Sequence, residues 1–151
     1  MLKNIDPLLS PELLKVLCEM GHGDEIVLAD ANFTASSLGR GKPVLRLPGV
    51  GMREACAAVL SVFPLDAAVV QPVAFMQVSD TPEGHRSALQ REVIGQLVSR
   101  GDASDAQCEP VERFAFYERV RGAYAIVQTG ELQPYANFLF RKGVIAKELV
   151  P

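Results

Sequence analysis

The sequence predicts a layered α/β fold: a three-layer α/β/α sandwich, Rossmann-like, around a mixed and mostly parallel central sheet. Short apolar runs typical of buried strands alternate with segments whose apolar residues recur every three or four positions, as in amphipathic helices. Near the end of the chain, two strand-like segments follow one another as a hairpin-like pair. An antiparallel pair of this kind would make the sheet mixed rather than purely parallel.

The first helix is predicted to begin at Ser10, whose side chain is a typical N-cap, with Pro11 in the first helical position. Its apolar stripe ends at Gly21, a residue common at helix C-termini. A buried strand is then predicted at residues 25–29, because Ile26-Val27-Leu28 is a short apolar run. The strand ends in the loop Asp30-Ala31-Asn32.

The remaining elements follow from the same periodicities and stop signals. We predict an exposed loop at residues 36–43, a strand at 44–47, a helix at 52–63, a strand region at 69–78 that pairs only after Pro72, a helix from Thr81-Pro82-Glu83 to Leu97, a surface loop at 99–108, a brief strand at 111–113, a helix at 114–122, a strand at 123–128, a turn at 129–131 and a strand at 137–140.

Composition narrows the class of function. The 151 residues are 48% hydrophobic and 22% charged, which suits one globular domain over residues 1–151. The net charge of −3 leaves no basic excess for nucleic acid or an acidic membrane. The three cysteines form no metal motif and predict reduced thiols. With no signal-peptide core and no long apolar run, we expect a cytoplasmic protein without a membrane span.

Two polar positions flank the first strand. His22 stands between two glycines in Gly21-His22-Gly23-Asp24, so a ligand could approach it, and a helix C-terminus favours the protonated imidazole. A histidine that merely caps the helix is the alternative. Asp30 follows the strand, where open α/β sheets bind ligands, and its carboxylate could accept sugar hydroxyls or cap a turn.

Other kinds of site are poorly supported. The Gly21-x-Gly23 pair lacks the third glycine of a dinucleotide motif and precedes a strand rather than following one. A metal site made of His22, Asp24 and Asp30 has no recognised spacing, so we expect neither metal nor cofactor. His85 is expected on the surface, and Cys18 is expected to pack within a helix.

Two later segments combine aromatic and polar side chains. Arg113-Phe114-Ala115-Phe116-Tyr117-Glu118-Arg119 is either an amphipathic helix or one wall of a polar pocket, with Arg113 or Tyr117 pointing inward. Tyr135-Ala136-Asn137 supplies hydrogen-bond donors, acceptors and an aromatic face, which are the groups that bind sugar hydroxyls.

These segments resemble the L-fucose mutarotase and D-ribose pyranase family over essentially the whole chain. The resemblance is carried by Ser10-Pro11-Glu12-Leu13-Leu14-Lys15-Val16-Leu17, Glu19-Met20-Gly21-His22-Gly23-Asp24-Glu25-Ile26, the Arg113–Arg119 block, Thr129-Gly130-Glu131, Tyr135-Ala136-Asn137 and Lys142-Gly143-Val144. The Arg113–Arg119 block is similar to the fucose branch in particular. The resemblance implies the fold of that family and an isomerase of carbohydrate metabolism that interconverts the anomers of L-fucose, with D-ribose as the rival sugar.

The resemblance also implies roles for particular residues. His22 would be the proton donor, and substrate would be bound by Asp30, Arg113, Tyr135, the backbone of Ala136, and Asn137. Asp24 and Tyr117 are further candidates, and the general base is left open among Tyr135, Asp24 and water. No metal or cofactor is implied. The expected assembly is a homo-oligomeric ring, a decamer of two stacked pentamers, with the pocket at a subunit interface.

Three departures from the family pattern bear on the choice of sugar. Ala136 replaces a glycine of many fucose-type members, Asn32 replaces a second histidine of some, and the 99–108 loop is longer. A non-catalytic sugar-binding protein is the alternative function from a different class. It would use the same hydroxyl contacts without a titrating His22.

Overall fold

A six-stranded sheet forms the centre of the computed structural model, which describes residues 1–147. In chain order the strands are β1 (Glu25–Ala29), β2 (Val44–Leu47), β3 (Val73–Met76), β4 (Cys108–Val111), β5 (Ala125–Thr129) and β6 (Phe138–Arg141). Across the sheet the order is β2-β5-β1-β6-β3-β4. Strand β6 runs antiparallel to its neighbours β1 and β3, whereas the other pairings are parallel. The predicted mixed, mostly parallel sheet is confirmed.

Helices cover both faces of the sheet. They are α1 (Pro11–Glu19), α2 (Ala35–Leu38), α3 (Met52–Leu60), α4 (Ala88–Arg100) and α5 (Arg113–Gly122), with a 3₁₀ turn at Asp105–Gln107. Along β1, Ile26 and Leu28 pack against α1, α3 and α4, while the alternate residues Val27 and Ala29 pack against α2 and α5. The three-layer sandwich is therefore confirmed. Within residues 1–147, no helix is long and apolar enough to cross a membrane.

The ends of α1 show which local signals decided the structure. The side chain of Ser10 accepts a hydrogen bond from the backbone N–H of Leu13, as an N-cap does. The helix ends at Glu19, two residues before the predicted stop at Gly21. The ammonium group of Lys142 donates to the carbonyls of Leu17 and Met20, and it thereby satisfies groups that a helix C-terminus leaves without partners.

Two helical predictions were wrong. Residues 36–43, predicted as an exposed loop, include most of α2, whose Ala35 and Leu38 are buried against the sheet. Four residues are too few to show the helical periodicity of apolar residues, so this helix could not be predicted from the sequence pattern. The third helix predicted from the sequence begins at Ala88 rather than near Thr81, because Ser87 forms the capping box with Gln90.

The segment before α5 also differs from expectation. The fourth strand lies at residues 108–111 rather than 111–113, and its Pro110 is tolerated because β4 is an edge strand. The predicted surface loop at 99–108 is partly interior. Arg100 still belongs to α4, and Ala103 and Cys108 are buried.

The hairpin-like interpretation of the last two strands was wrong, although the mixed sheet inferred from it was correct. Strands β5 and β6 do not pair with each other, because β1 lies between them and pairs with both. Residues 130–137 therefore cross the end of β1 rather than form a tight turn.

Adjacent residues at the end of α4 provide a test of the core. Leu97 is fully buried, whereas Val98 is 46% exposed. We expect Leu97→Ala to lower the free energy of unfolding by about 2–5 kcal/mol through lost burial and a residual cavity. The matched control Val98→Ala should change it by less than about 0.5 kcal/mol. Urea unfolding followed by circular dichroism measures both, and equal losses would contradict this packing.

Candidate active site

The topology gathers polar side chains at one edge of the sheet. The five parallel strands all end at this edge, which we name the carboxyl edge, and the antiparallel β6 begins there. Asp30 follows β1, Arg113 lies just after β4, and Asn137 immediately precedes β6. Residues from three distant parts of the chain therefore meet where open α/β sheets bind small molecules.

A buried carboxylate–amide pair forms the floor of this site. The backbone N–H of Asp30 donates to Oδ1 of Asn137 at 2.9 Å, and Nδ2 of Asn137 donates to Oδ2 of Asp30 at 3.0 Å. The N–H of Asn32 donates to the other carboxylate oxygen of Asp30 at 2.9 Å. Asp30 is 5% exposed and Asn137 is 2% exposed. Reciprocal bonds between these two buried residues, one from the Asp30 backbone and one between the side chains, hold both side chains in one orientation.

Burial raises the pKa of Asp30 above its ordinary value, because the charged form loses solvation. Hydrogen bonds from Asn32 and Asn137 act in the opposite direction and lower the pKa. Asp30 is therefore a poorly solvated carboxylate with engaged oxygens. Hydroxyl groups of a ligand that donate further hydrogen bonds would stabilise such a carboxylate.

Arg113 and Tyr117 form one wall of the site, one turn apart on α5. The Nε–H of Arg113 donates to Oη of Tyr117 at 3.1 Å, and the guanidinium lies 5.5 Å from the centre of the Tyr117 ring. Glu112 caps the helix by accepting bonds from the N–H groups of Phe114 and Ala115. The cap orients the first turn, so Arg113 presents its remaining donors beside the cleft.

The segment Tyr135-Ala136-Asn137 enters the site in a constrained conformation. Tyr135 has φ of +61°, a left-handed value that is uncommon for residues other than glycine. The buried Gln90 amide donates to the carbonyls of Tyr135 and Met76 and ties this segment to β3. Backbone strain of this kind persists only where the surroundings hold it, and it concentrates at functional sites.

A second buried amide holds the loop that follows β1. Nε2 of Gln128 donates to the carbonyls of Ala31 and Phe33 at 3.0 Å each, and its oxygen accepts a hydrogen bond from Arg46. Gln128 is thus an anchor for the loop that carries Asp30.

The site opens into two adjoining cavities. The first has a volume of about 230 Å³ and is lined by Asp30, Asn32, Phe33, Met76, Arg113, Tyr117, Pro134, Tyr135 and Asn137. The second, of about 490 Å³, shares Arg113 and Tyr135 with the first and continues past Asp80 and Phe114. This cleft brings together most of the sequence-predicted residues, including Tyr117 and Asn137. Ala136 is buried beside it.

His22 and Asp24 lie elsewhere. They precede β1, so they stand at the opposite edge of the sheet, which we name the amino edge. The five residues of β1 alone separate the two edges by about 16 Å. The His22 side chain is 52% exposed, and Oδ2 of Asp24 accepts a hydrogen bond from the N–H of Gly21 at 2.7 Å. Within one copy of the chain, His22 does not reach the cleft that contains Asp30.

The sheet also separates His22 and Asp24 from Asp30, the three residues weighed as metal ligands. Residues 1–147 contain no group of three or more His, Cys, Asp or Glu side chains placed to hold a metal ion. His85 is exposed, as expected. Cys18 is exposed rather than packed within α1, which corrects the expectation for that residue.

Sequence reasoning missed three polar residues that the structure places in supporting positions: Asp66, Gln90 and Gln128. Asp66 accepts a hydrogen bond from His22. One signal was available for it, since Asp66 is the only charged residue between Glu54 and Asp80. A lone carboxylate in so apolar a stretch is rarely buried without a partner. The two glutamines had no comparable signal, because their partners are distant backbone carbonyls.

A three-layer α/β sandwich with a buried carboxylate in a polar cleft at its carboxyl edge has the architecture that α/β proteins typically use to bind small polar molecules. Comparison with known sequences identifies the family, because residues 3–145 match the RbsD / FucU transport protein family. The chain belongs to this family.

The relatives of this chain include proteins with named activities. A fucose mutarotase of Danio rerio is 46% identical over 153 residues, covering 97% of this chain and 96% of the relative. The crystal structure of the fucose mutarotase from Streptococcus pneumoniae in complex with L-fucose matches with a TM-score of 0.85 and 39% identity, covering 96% of this chain and 100% of that one. Bacillus subtilis RbsD complexed with D-ribose matches with a TM-score of 0.68 at 22% identity, covering 97% and 100%, and shows a shared fold.

The raised pKa of Asp30 predicts a pH dependence of stability. Between the ordinary pKa and the raised one, the folded protein keeps a proton that the unfolded chain has released, so the free energy of unfolding falls as the pH rises. Asp30→Asn removes this contribution. We therefore expect the stability of Asp30→Asn relative to the wild type to increase as the pH rises above the ordinary carboxyl pKa of about 4.

Urea unfolding at a series of pH values measures this difference. Glu83→Gln, which removes an exposed carboxylate from the loop before α4, is the control. A stability difference between Asp30→Asn and the wild type that stays constant with pH would contradict the raised pKa.

Proposed function

We propose that this protein is an L-fucose mutarotase, an isomerase that interconverts the α and β anomers of the free sugar. The observation that carries the proposal is the similarity, over nearly the full length, to fucose mutarotases at 39% and 46% identity. The 22% identity to the D-ribose complex makes ribose the less favoured sugar. The polar cleft at the carboxyl edge is the proposed binding site for the monosaccharide. We also propose that the protein is located in the cytoplasm.

The residues of the cleft would bind the sugar hydroxyls. Asp30 offers carboxylate oxygens, Arg113 offers guanidinium donors, and Asn137 holds Asp30 in position. Tyr135 adds an aromatic face and a hydroxyl, and the backbone of Ala136 is the remaining contact that we assign. Fixing several hydroxyls at once orients the anomeric carbon for reaction.

Mutarotation needs two proton transfers. One proton is delivered to the ring oxygen as the bond from that oxygen to C1 breaks, and another leaves the anomeric hydroxyl as C1 becomes an aldehyde carbon. Rotation about C1–C2 and the reverse transfers close the ring on the other face. We assign the donor role to His22, because histidine is the side chain that most often transfers protons in general acid–base catalysis. Tyr135 lines the cleft, whereas the carboxylate of Asp24 already accepts a hydrogen bond from the N–H of Gly21, so we prefer Tyr135 and water as candidates for the base.

The distance between His22 and Asp30 within one chain leads to a proposal about assembly. A complete site forms if the amino edge of one copy, carrying His22, covers the carboxyl edge of the next. Exposed apolar residues at both edges support this arrangement. At the carboxyl edge, Phe114 lines the cleft and is 66% exposed, and Leu132, which follows β5, is 75% exposed. Val144 and Ile145 are 60% and 84% exposed just after the segment that contacts the His22 turn.

Contacts between two different surfaces of identical chains repeat from copy to copy and close into a ring when the rotation allows. We propose such a ring, with two stacked pentamers as the specific form. The proposed sugar pocket would then lie at the subunit interface, with Asp30 from one copy and His22 from its neighbour.

The activity has a direct test. Magnetisation exchange between the α and β anomeric protons of L-fucose should be accelerated by the wild-type protein and less so for D-ribose. We expect His22→Ala to lower the acceleration by about 10²- to 10⁴-fold through loss of the proton donor. His85→Ala, which changes the other histidine, is the matched control and should keep wild-type exchange.

Two results would redirect the proposal. Wild-type exchange in His22→Ala would remove His22 from the donor role. Saturable binding of L-fucose to the wild-type protein without faster exchange would favour the non-catalytic sugar-binding alternative.

The shared site predicts complementation between inactive variants. We expect Asp30→Ala and His22→Ala each to be inactive alone, and their co-expressed mixture to regain activity. A site between neighbours contains one intact Asp30 and one intact His22 in about a quarter of the interfaces of an equal random mixture. Absence of recovery, or sedimentation of the wild-type protein as a monomer of 16.4 kDa, would refute the shared site.

A further inference from the structure

A buried carboxylate lies directly beneath the His22 imidazole. Nε2 of His22 is 3.1 Å from Oδ1 of Asp66, and the Asp66 side chain is 3% exposed. The same Oδ1 accepts a hydrogen bond from the N–H of Ala68 at 3.0 Å, while Oδ2 accepts one from Nε of Arg141 at 3.0 Å. Both oxygens of Asp66 are therefore held by donors, and its contact with His22 has a defined geometry.

The end of β6 fixes the two segments that carry this pair. On one side, the N–H of Gly23 donates to the carbonyl of Lys142, and the N–H of Lys142 donates to the carbonyl of Asp24. On the other side, the N–H of Asp66 donates to the carbonyl of Arg141. The positions of His22 and Asp66 are thus set by backbone hydrogen bonds to one strand end rather than by their side chains alone.

Glycines permit this close arrangement. Gly23 has φ of +86°, and a Cβ there would lie 3.1 Å from the guanidinium of Arg141. A Cβ on Gly143 would meet the carbonyl oxygen of Leu65, so only glycine lets the end of β6 approach the Asp66 segment. The sequence Gly21-His22-Gly23 therefore serves the placement of the imidazole as well as its access.

The protonation states in the pair follow from its surroundings. The pKa of Asp66 is held below its ordinary value, first by the hydrogen bond from Ala68 and then by those from His22 and Arg141, against the opposing effect of burial. An ionised carboxylate only accepts hydrogen bonds, so the ring nitrogen that faces it must carry a proton. That nitrogen is Nε2.

The other charged groups near the imidazole are engaged elsewhere. Arg141 is bound to Asp66, the carboxylate of Asp24 accepts from Gly21, and the ammonium of Lys142 caps α1. Among the described residues, Nδ1 of His22 has no hydrogen-bond partner, and the side chain is half exposed. Nδ1 is thus the nitrogen available to a ligand.

We propose that Asp66 is a positioning residue for His22, and that Nδ1 of His22 is the atom that exchanges the proton with the sugar. This inference rests on the proposed mutarotase function. In the ring-opening step, the Nδ1 proton passes to the ring oxygen, which receives the electron pair of its broken bond to C1. The anomeric hydroxyl loses its proton to a base, its O–H electron pair forms the C1=O bond, and His22 becomes neutral. Ring closure returns the proton to Nδ1.

Asp66 would act on this step in two ways. Its negative charge stabilises the imidazolium form before transfer, and its hydrogen bond keeps Nε2 protonated in the neutral form after transfer. The second effect leaves the Nδ1 lone pair ready to take the proton back. Arg141 would keep Asp66 ionised and oriented throughout the cycle.

Asp66→Asn removes the negative charge of the side chain and keeps nearly the same shape. The oxygen of the introduced amide can face either His22 and Ala68 or Arg141, so at least one donor is left opposite the NH₂ group. We expect Asp66→Asn to lower the rate of anomer exchange by about 10- to 100-fold at saturating L-fucose, with little change in sugar affinity. The pH dependence of exchange should also shift, because the charge that stabilises the imidazolium is gone.

Asp105→Asn, which removes an exposed carboxylate paired with Arg86, is the matched control and should keep the wild-type rate and pH profile.

A second measurement does not depend on activity or on a variant that folds. The ¹⁵N chemical shifts of His22 in the wild-type protein, at a pH where the ring is neutral, report which nitrogen carries the proton. We expect Nε2 to be protonated and Nδ1 to be unprotonated, and we expect this preference to weaken in Asp66→Asn. A neutral ring protonated at Nδ1 would overturn the inference.

The outcomes separate the inference from the function on which it rests. If the wild-type protein accelerates anomer exchange and Asp66→Asn does so with the same rate and pH profile, the positioning role of Asp66 is refuted. The mutarotase function is not affected by that result. Absence of exchange in the wild-type protein refutes the proposed function and with it the proton transfer at Nδ1.

Discussion

The structure depends on one antiparallel strand within an otherwise parallel sheet. Strand β6 lies between β1 and β3 and pairs with both, so its two ends reach opposite edges of the sheet. Its beginning brings Asn137 to the buried carboxylate of Asp30, and its end brings Arg141 to that of Asp66. A parallel strand in this position would exchange its two ends and separate both pairs. The reversal of β6 is therefore what organises the two polar clusters.

The two clusters share a design. In each, one oxygen of a buried carboxylate accepts a hydrogen bond from the N–H two residues further along the chain, and the other accepts one from a distant side chain at an end of β6. The orientation of the carboxylate is therefore set before any ligand arrives. They differ in electrostatic character. Burial dominates at Asp30 and raises its pKa, whereas donated hydrogen bonds dominate at Asp66 and lower its pKa. The first arrangement suits a group that receives hydroxyl donors, and the second suits a permanent anion beneath an imidazole.

Local sequence signals predicted an element correctly where no tertiary contact or helix cap overrode them. The strand at 25–29 and the strand at 44–47 have their predicted bounds, because a short apolar run bounded by turn residues is sufficient to define each. Elsewhere tertiary contacts prevailed. Burial of Ala35 and Leu38 stabilises the short helix α2 within a polar stretch, and the Ser87–Gln90 capping box prevails over the earlier start signal at Thr81. The partner of β5 could not be read locally, because β1 is about a hundred residues away in the chain.

By itself, the sequence determined the α/β class, the polar residues of the cleft and the glycine-flanked histidine, because these depend on residue types and on spacings within a few positions. The tertiary structure alone decided which of these residues meet. It joined Asp30 to Asn137, paired His22 with the unsuspected Asp66, and placed the two groups at opposite edges of the sheet. Pairings of this kind depend on strand order and direction, which arise from contacts between distant segments and leave no periodic trace in the chain.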